Sequence, residues 1–180
     1  MKKILLSHGS GGKATDSLIK ELMLDKFGNP TLNELTDSAI LDFSGNQKLC
    51  FTTDSYIVKP LFFPGGDIGT LAINGTANDL SVMGAKPLYV SCSFIVEEGL
   101  DWEILEKITS SMAKALRKAA AQIVTGDTKV VEKGSADKLF ITTSGVGLLS
   151  KNIILSRNKI EAGDKIIING EIGAHGLAVM

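Results

Sequence analysis

The sequence predicts an α+β fold in which a mixed sheet is covered by helices. Amphipathic helical patterns alternate with apolar strand patterns along the chain, and several predicted strands follow one another without an intervening helix. Strands that pair both with their neighbours and across helices are typical of an α+β layer rather than of a doubly wound sheet. The 180 residues, of which 44% are hydrophobic, suffice for one packed domain.

The first half of the chain contains two predicted helices and a strand region. Residues 13 to 27 form a helix that ends at Gly28, because its apolar side chains recur on one face: Leu18, Ile19, Leu22, Met23 and Phe27. Residues 48 to 59 alternate as strand material, and Asp54 interrupts this run as a residue at a strand end or bend would. Residues 64 to 67 form a turn, and Asp67 can cap a second helix, rich in small residues, from Ile68 to Met83.

The second half continues with strands on either side of one long helix. Residues 87 to 97 read as a strand, and residues 101 to 121 are the clearest amphipathic helix. Residues 123 to 125 form a short strand that leads directly into Gly126 and Asp127. Two further strands are predicted over residues 138 to 149 and 165 to 169, the second after a turn at 163 and 164.

Composition and charge exclude several classes of protein. With 19 basic and 20 acidic residues the chain has a formal net charge of −1, so no nucleic acid or anionic membrane partner is expected. Cys50 and Cys92 lie in apolar, strand-like runs and are predicted to be buried free thiols. The apolar run at the N-terminus is too short for a signal peptide, and no run reaches the roughly 20 residues of a membrane span. A soluble cytoplasmic protein is expected.

Three aspartates in polar or glycine-rich surroundings are the candidate metal ligands. They are Asp54 in Thr-Thr-Asp-Ser, Asp79 after Asn78, and Asp127 in Thr-Gly-Asp-Thr-Lys. Carboxylate oxygens are the hard ligands that Mg²⁺ prefers, so the three together predict a magnesium–nucleotide site. Taken singly, each has an ordinary alternative: a turn aspartate for Asp54, a solvated helix face for Asp79 and a hairpin turn for Asp127.

Further residues are candidates for contacts with a nucleotide. Asn74 and Asn78 lie one helical turn apart on the same face of the second helix, with Asp79 beside them. The loop from Ser7 to Lys13 is dense in backbone N–H groups suited to phosphate, although it lacks the Walker A spacing and has a flexible terminus as its alternative. Catalytic roles fall to Asp127 and Lys129, and the remaining predicted nucleotide contacts are Gly11, Gly12, Lys13, Asp54, Asp67, Asn74, Asn78, Asp79, Gly126 and Thr128.

The order of these motifs resembles the aminoimidazole-ribonucleotide synthetase superfamily. A glycine loop is followed by Thr-Asp-Ser, Gly-Gly-Asp-Ile-Gly, Ala-Asn-Asp-Leu, Met-Gly-Ala-Lys-Pro and Thr-Gly-Asp-Thr-Lys-Val-Val. Within the superfamily, the start His-Gly-Ser-Gly-Gly and the segment Pro-Leu-Phe-Phe-Pro-Gly-Gly are most similar to the HypE family, the carbamoyl dehydratases of [NiFe]-hydrogenase maturation. The resemblance covers essentially the whole chain.

The resemblance implies a fold, a reaction and partners. It implies an N-terminal domain that pairs with a twofold mate into a barrel-like interface, and that binds ATP and Mg²⁺ through Asp54, Asp79 and Asp127. Gly11 and Gly12 would lie over the phosphates, and Lys129 would neutralise phosphate charge or orient the carboxamide. The implied reaction dehydrates the S-carboxamide of a C-terminal cysteine to a thiocyanate, the source of a cyanide ligand. The implied partners are a second copy, the carbamoyl transferase HypF and a complex of HypC and HypD.

The chain departs from that family at its end. Residues 1 to 160 are expected to form the ATP-binding and dimerisation domain, and residues 161 to 180 the start of a truncated C-terminal domain. The sequence ends at Met180 without the reactive cysteine, and neither Cys50 nor Cys92 matches that position, so this chain alone is expected to be inactive. Two alternatives stay open: another ATP-using enzyme of the superfamily, such as a small-molecule kinase or a selenophosphate synthetase, or a non-catalytic dimerisation scaffold.

Overall fold

A five-stranded mixed sheet forms the centre of the fold. The computed structural model describes residues 3–44, 47–149 and 155–180. The strands of the sheet are β1 (Ala39–Asp42), β2 (Lys48–Tyr56), β5 (Ala85–Glu97), β6 (Gln122–Val131) and β7 (Leu139–Leu149). Their order is β1-β2-β7-β5-β6, and a separate hairpin is formed by β3 (Phe62–Phe63) and β4 (Gly66–Asp67). Among the strand pairs of the sheet in the described residues, β5 and β6 are parallel and the others are antiparallel, so the predicted mixed sheet is confirmed.

Four helical regions accompany the sheet. Helix α1 consists of Lys13–Leu18, a π-helical stretch at Ile19–Met23 and a last turn at Leu24–Phe27. Helix α2 spans Ile68–Val82, α3 spans Trp102–Ala119, and α4 spans Ala174–Val179. Short 3₁₀ helices occur at Leu6–Gly9, Leu32–Glu34 and Arg157–Lys159. Helix α3 is the crossover that a parallel β5–β6 pair requires.

The core lies between the sheet and the two long helices. Helix α2 lies across β2, β7 and β5, and α3 packs beside it. Ile68 and Ile73 from α2 pack with Ile108 from α3 and with Leu139 and Ile141 from β7. The alternation of buried and half-buried residues along β7 is what a central strand with one face covered by helices produces.

Glycine allows the two helices to approach closely. A Cβ atom added to Gly69 would lie 2.7 Å from the carbonyl oxygen of Ile108 and 2.7 Å from Cγ of Met112. No side chain fits at that distance, so a glycine is required where α2 crosses α3. The run of small residues in α2 therefore has a packing role.

The opposite face of the sheet carries exposed side chains. Leu41, Phe51, Tyr89 and Ile95 are 40%, 43%, 50% and 38% exposed there. A belt of hydroxyl groups crosses the same face, with Ser55 Oγ 3.0 Å from Thr142 Oγ1 and Ser144 Oγ 3.0 Å from Thr53 Oγ1. We refer to this surface, which α2 and α3 do not cover, as the open face.

Several predicted elements are corrected by the structure. Residues 165 to 169 form no strand, and Ile166 and Ile167 are 95% and 90% exposed; a strand pattern needs a partner strand, and none pairs with this segment in the described part of the chain. Residues 126 to 129 lie inside β6 instead of in a turn, and Asp54 lies inside β2. Strand β1 and the β3–β4 hairpin were not predicted because both are very short.

Candidate functional site

Asp54 and Asp79 meet at the junction of the sheet and helix α2. Asp54 is near the end of β2 on the face that α2 covers, and Asp79 lies in the last turns of α2. Both are half-buried, and their carboxyl groups are close enough to interact by hydrogen bonding and by charge. Thr52, two residues before Asp54 on the same face, has its Oγ1 atom 3.0 Å from Asp79 Oδ2. Ser38 Oγ donates to the Asp79 carbonyl oxygen at 2.8 Å and ties the loop that precedes β1 to α2.

The electrostatics of this pair favour either a proton or a cation. Burial is the largest cause that raises the pKa of Asp79, to about 6. The hydrogen bond from Thr52 acts in the other direction, and the nearby carboxylates of Asp54 and Asp37 raise the pKa further. None of the ion pairs found among the described residues joins a lysine to Asp54 or Asp79. A cation placed between the two carboxylates would relieve their repulsion.

A chain of buried hydroxyl groups extends from Asp54 into the core. Tyr56 OH donates to Asp54 Oδ2 at 3.0 Å and lies 3.2 Å from Thr76 Oγ1, which in turn contacts Thr143 Oγ1. Thr76 and Thr143 are fully buried and Tyr56 is 9% exposed. Burial raises the pKa of Tyr56 to about 12, so its hydroxyl stays protonated and can donate.

Asp127 and Lys129 do not lie beside the Asp54–Asp79 pair. Strands β7 and β5 stand between β2 and β6, which separates the backbones of Asp54 and Asp127 by about 14 Å. The register of β6 with β5 pairs Asp127 with Ser93 and so places it on the open face, opposite the covered face of Asp54. Lys129 Nζ is 3.2 Å from Asp127 Oδ2, and this contact holds the pKa of Asp127 below its ordinary value. The three predicted metal ligands are therefore not together within one chain.

The carboxylate of Asp67 accepts hydrogen bonds from neighbouring groups of the protein. Its carboxylate accepts hydrogen bonds from the backbone N–H groups of Gly69 and Thr70 at 2.7 and 3.0 Å. It also accepts the hydroxyl protons of Thr70 at 3.1 Å and of Ser111 at 2.6 Å. The predicted helix cap is confirmed, and the Ser111 bond ties the start of α2 to α3. Asp67 is only 8% exposed, so its carboxylate has little surface left for a ligand.

The remaining predicted contacts lie at exposed positions. Asn74 and Asn78 project from the outer side of α2, one turn apart as predicted. Gly126 and Thr128 belong to the exposed edge strand β6. Gly11 and Gly12 of the glycine loop are exposed, and so is Lys13, the first residue of α1. The contacts of this region are mainly with neighbouring helical turns rather than with the sheet.

The donor set of the Asp54–Asp79 pair fits magnesium bound with a nucleotide. Across residues 3–44, 47–149 and 155–180, no group of three or more histidine, cysteine, aspartate or glutamate side chains forms a ready metal site. Mg²⁺ is commonly held by one or two carboxylates together with phosphate oxygens and water. A groove of about 770 Å³ is lined in part by Asp37, Val82 and Met83, and neither Asp54 nor Asp79 belongs to its lining.

Sequence reasoning missed the residues that support the pair. Thr52 and Tyr56 flank Asp54 at intervals of two, which is the period that places side chains on one face of a strand. That signal was available in the sequence. Thr76 and Thr143 gave no such signal, because only the packing of α2 on β7 brings them together.

Comparisons with known proteins identify the family. The sequence profile of the AIR synthase related protein, N-terminal domain, matches residues 35–149. The carbamoyl dehydratase HypE of Escherichia coli (strain K12) is 50% identical over 184 residues, covering 100% of this chain and 55% of that protein. The chain thus spans about half the length of the curated relatives it matches.

Solved structures agree with that result. Hydrogenase maturation protein HypE in complex with ATP is 52% identical, with a TM-score of 0.71, covering 98% of this chain and 52% of that one. A HypE–HypF complex is 53% identical, with a TM-score of 0.68, covering 74% and 42%. None of the helices in the described residues is long and apolar enough to cross a membrane. The chain belongs to the AIR synthase related proteins, whose N-terminal domain it carries, and its predicted resemblance to the HypE carbamoyl dehydratases is confirmed.

Proposed function

We propose that this chain is the ATP- and magnesium-binding, dimer-forming part of an ATP-dependent carbamoyl dehydratase of [NiFe]-hydrogenase maturation. The observation that carries the proposal is the Asp54–Asp79 pair, two half-buried carboxylates that interact with each other. A relative at 52% identity that is solved in complex with ATP supports ATP as the nucleotide. The Thr-Asp and Asn-Asp motifs predicted from the sequence supply both members of the pair.

Asp54 and Asp79 would hold the metal in this proposal. Magnesium held there would supply positive charge to offset the negative charge that develops during phosphoryl transfer. Thr52 and Tyr56 contribute by fixing the two carboxylates. The exposed glycine loop, with Gly11 and Gly12, is free to close over phosphates through its backbone N–H groups, since a Cβ at Gly11 would meet nothing within 4 Å.

The proposed reaction removes water from a cysteine S-carboxamide in two steps. The carboxamide oxygen attacks the γ-phosphorus, the bond to the β-phosphate oxygen breaks, and ADP leaves while the amide nitrogen loses a proton. The carbon–oxygen bond then breaks, inorganic phosphate departs, the nitrogen loses its second proton, and a thiocyanate remains. Phosphorylation turns a poor leaving oxygen into a good one, which is the reason the reaction uses ATP.

The open face is proposed to bind a second copy of the chain. Exposed apolar side chains at Phe51, Tyr89 and Ile95, together with the hydroxyl belt, form a surface that a twofold mate would cover in a barrel-like interface. Asp127 and Lys129 lie at the β6 edge of this face, and the proposal gives them roles in catalysis only within such an assembly. This accounts for their separation from Asp54 in one protomer.

The proposal also includes partners and a compartment. A HypE–HypF complex is known for a relative at 53% identity, and HypF is the proposed donor of the carbamoyl group. The complex of HypC and HypD is the proposed acceptor of cyanide, and the cytoplasm is the proposed location. Magnesium, the second copy and these acceptors rest on the sequence resemblance together with the geometry described above.

Mass spectrometry of the carbamoylated full-length protein tests the proposed reaction. With ATP and Mg²⁺, the modified cysteine peptide should lose the mass of one water, with one ADP released per event. Asp79→Asn should abolish this loss, whereas Asp42→Asn, a matched change at a side chain that is 90% exposed, should not. Transfer of phosphate to an added small molecule, with no loss of water from the peptide, would favour a kinase of the superfamily instead.

A further inference from the structure

We infer that Tyr56 is a positioning residue that orients the Asp54 carboxylate for a divalent cation shared with Asp79. The inference rests on the proposed magnesium–nucleotide function and adds to it a residue that never touches the metal. It follows from the direction of the hydrogen bonds, from burial, and from the space that the surrounding glycines leave.

The direction of the hydrogen bonds is fixed by chemistry. An ionised carboxylate only accepts, so Tyr56 must give its single proton to Asp54 Oδ2, 3.0 Å away. Thr76 Oγ1, at 3.2 Å, must then donate to Tyr56, and Thr143 must donate to Thr76. The chain of hydroxyls therefore points toward Asp54 and ends in a donor to the carboxylate that would hold a cation.

Two glycines leave the space that the Tyr56 hydroxyl and its partner Thr76 occupy. A Cβ atom added to Gly75 would lie 2.4 Å from the Tyr56 hydroxyl oxygen, and one added to Gly145 would lie 2.6 Å from Cγ2 of Thr76. Two glycines thus make room for the hydroxyl chain under α2. Thr76 and Thr143 are buried polar groups in an otherwise apolar core, and their partners are each other and Tyr56.

The geometry separates positioning from simple packing. Tyr56 donates to Oδ2 of Asp54, and Thr52 Oγ1 lies 3.0 Å from Oδ2 of Asp79, so each carboxylate of the pair has a hydroxyl partner. Residues that orient metal ligands in this way typically change metal affinity by tenfold or more when their hydrogen bond is removed.

Binding of Mn²⁺ to the full-length protein, measured by electron paramagnetic resonance, tests the inference. Tyr56→Phe keeps the ring in the core and removes the hydroxyl, and it should weaken Mn²⁺ binding roughly tenfold. Thr109→Val, which removes a hydroxyl from an exposed position of α3, is the control and should leave binding unchanged. Unchanged Mn²⁺ affinity in Tyr56→Phe would overturn the inference.

A double-mutant cycle distinguishes positioning from a general effect on the fold. If Tyr56 acts through Asp54, then Tyr56→Phe should have no further effect on Mn²⁺ affinity in an Asp54→Asn background. Equal losses in both backgrounds would show a general effect and overturn the inference. If wild type and Asp54→Asn bind Mn²⁺ equally, the proposed metal site itself fails, which is a separate result from failure of Tyr56→Phe alone.

A second pair of variants covers the case in which Tyr56→Phe does not fold. Thr76→Val removes the hydroxyl that donates to Tyr56 at nearly constant volume, and Thr76→Ser retains it. Weaker Mn²⁺ binding in Thr76→Val than in Thr76→Ser supports the inference, and equal binding in the two variants overturns it.

Discussion

The carboxyl group of Asp54 on β2 interacts with that of Asp79 on α2 and, after burial as the larger cause, raises the pKa of Asp79. Because the pKa of Asp79 is raised to about 6, its charged form is scarce below that pH. A divalent cation needs the charged form and must displace the proton. Affinity for Mn²⁺ should therefore rise steeply as pH increases through about 6 and level off above it, as titrations at fixed ionic strength can show. An Mn²⁺ affinity that does not change from pH 5 to 7 would contradict the raised pKa of Asp79 at this site.

The same carboxyl group makes the stability of the metal-free protein depend on pH. In the unfolded chain Asp79 has its ordinary pKa of 3.8, and in the folded chain about 6. Between these values the folded state holds a proton that the unfolded state has lost, so this group's contribution to the free energy of unfolding falls as pH rises. The amide group of Asp79→Asn does not titrate between these two pH values. The stability of Asp79→Asn relative to wild type should increase from pH 4 to pH 6, as urea unfolding at each pH would measure.

Asp67 is predicted to act on stability rather than on nucleotide binding. Its carboxylate caps α2 and accepts the Ser111 hydroxyl of α3, so Asp67→Ala leaves several buried donors without an acceptor. Loss of a cap with such bonds costs about 2 kcal/mol. Chemical unfolding should show this loss, whereas the ATP affinity of the folded fraction should equal that of wild type. A variant of normal stability with weakened ATP binding would restore Asp67 as a nucleotide contact.

Gly69 is predicted to set the spacing of the two long helices. Gly69→Ala would place a methyl group 2.7 Å from the Ile108 carbonyl oxygen, so α2 and α3 must move apart. Overpacking of this kind costs about 1–3 kcal/mol. Gly9→Ala is the matched control, because a Cβ at Gly9 meets nothing within 4 Å. Thermal unfolding should show a lower midpoint for Gly69→Ala only, and equal midpoints would contradict the close helix contact.

The sequence predicted the elements whose patterns are local. Helices α2 and α3, strand β5 and strand β7 follow from periodicity, and the cap at Asp67 follows from its position before Ile68. Residues 165 to 169 have the pattern of a strand without becoming one, because pairing depends on a neighbour and not on the segment itself. The apolar residues predicted to share one face of α1 are not all covered, since Leu22 and Phe27 are 47% and 65% exposed.

The candidate site was predictable in its residues but not in its arrangement. Asp54 and Asp79 meet as expected from their motifs, since α2 crosses β2. The motif around Asp127 is equally clear. However, Asp127 lies on β6 rather than on β2, and the register of β6 places it on the opposite face of the sheet from Asp54. Strand order and register are long-range properties that a motif does not contain. The prediction of three ligands in one place can hold only in an assembly larger than one protomer.

Calorimetric titration of ATP into the full-length protein, with and without Mg²⁺, tests the central claim most directly. The account predicts that Mg²⁺ strengthens ATP binding in wild type and in Asp42→Asn, and that this gain falls at least about tenfold in Asp79→Asn. ATP binding without metal should differ little among the three proteins. An equal gain from Mg²⁺ in Asp79→Asn and wild type would contradict the assignment of the Asp54–Asp79 pair as the metal–nucleotide site.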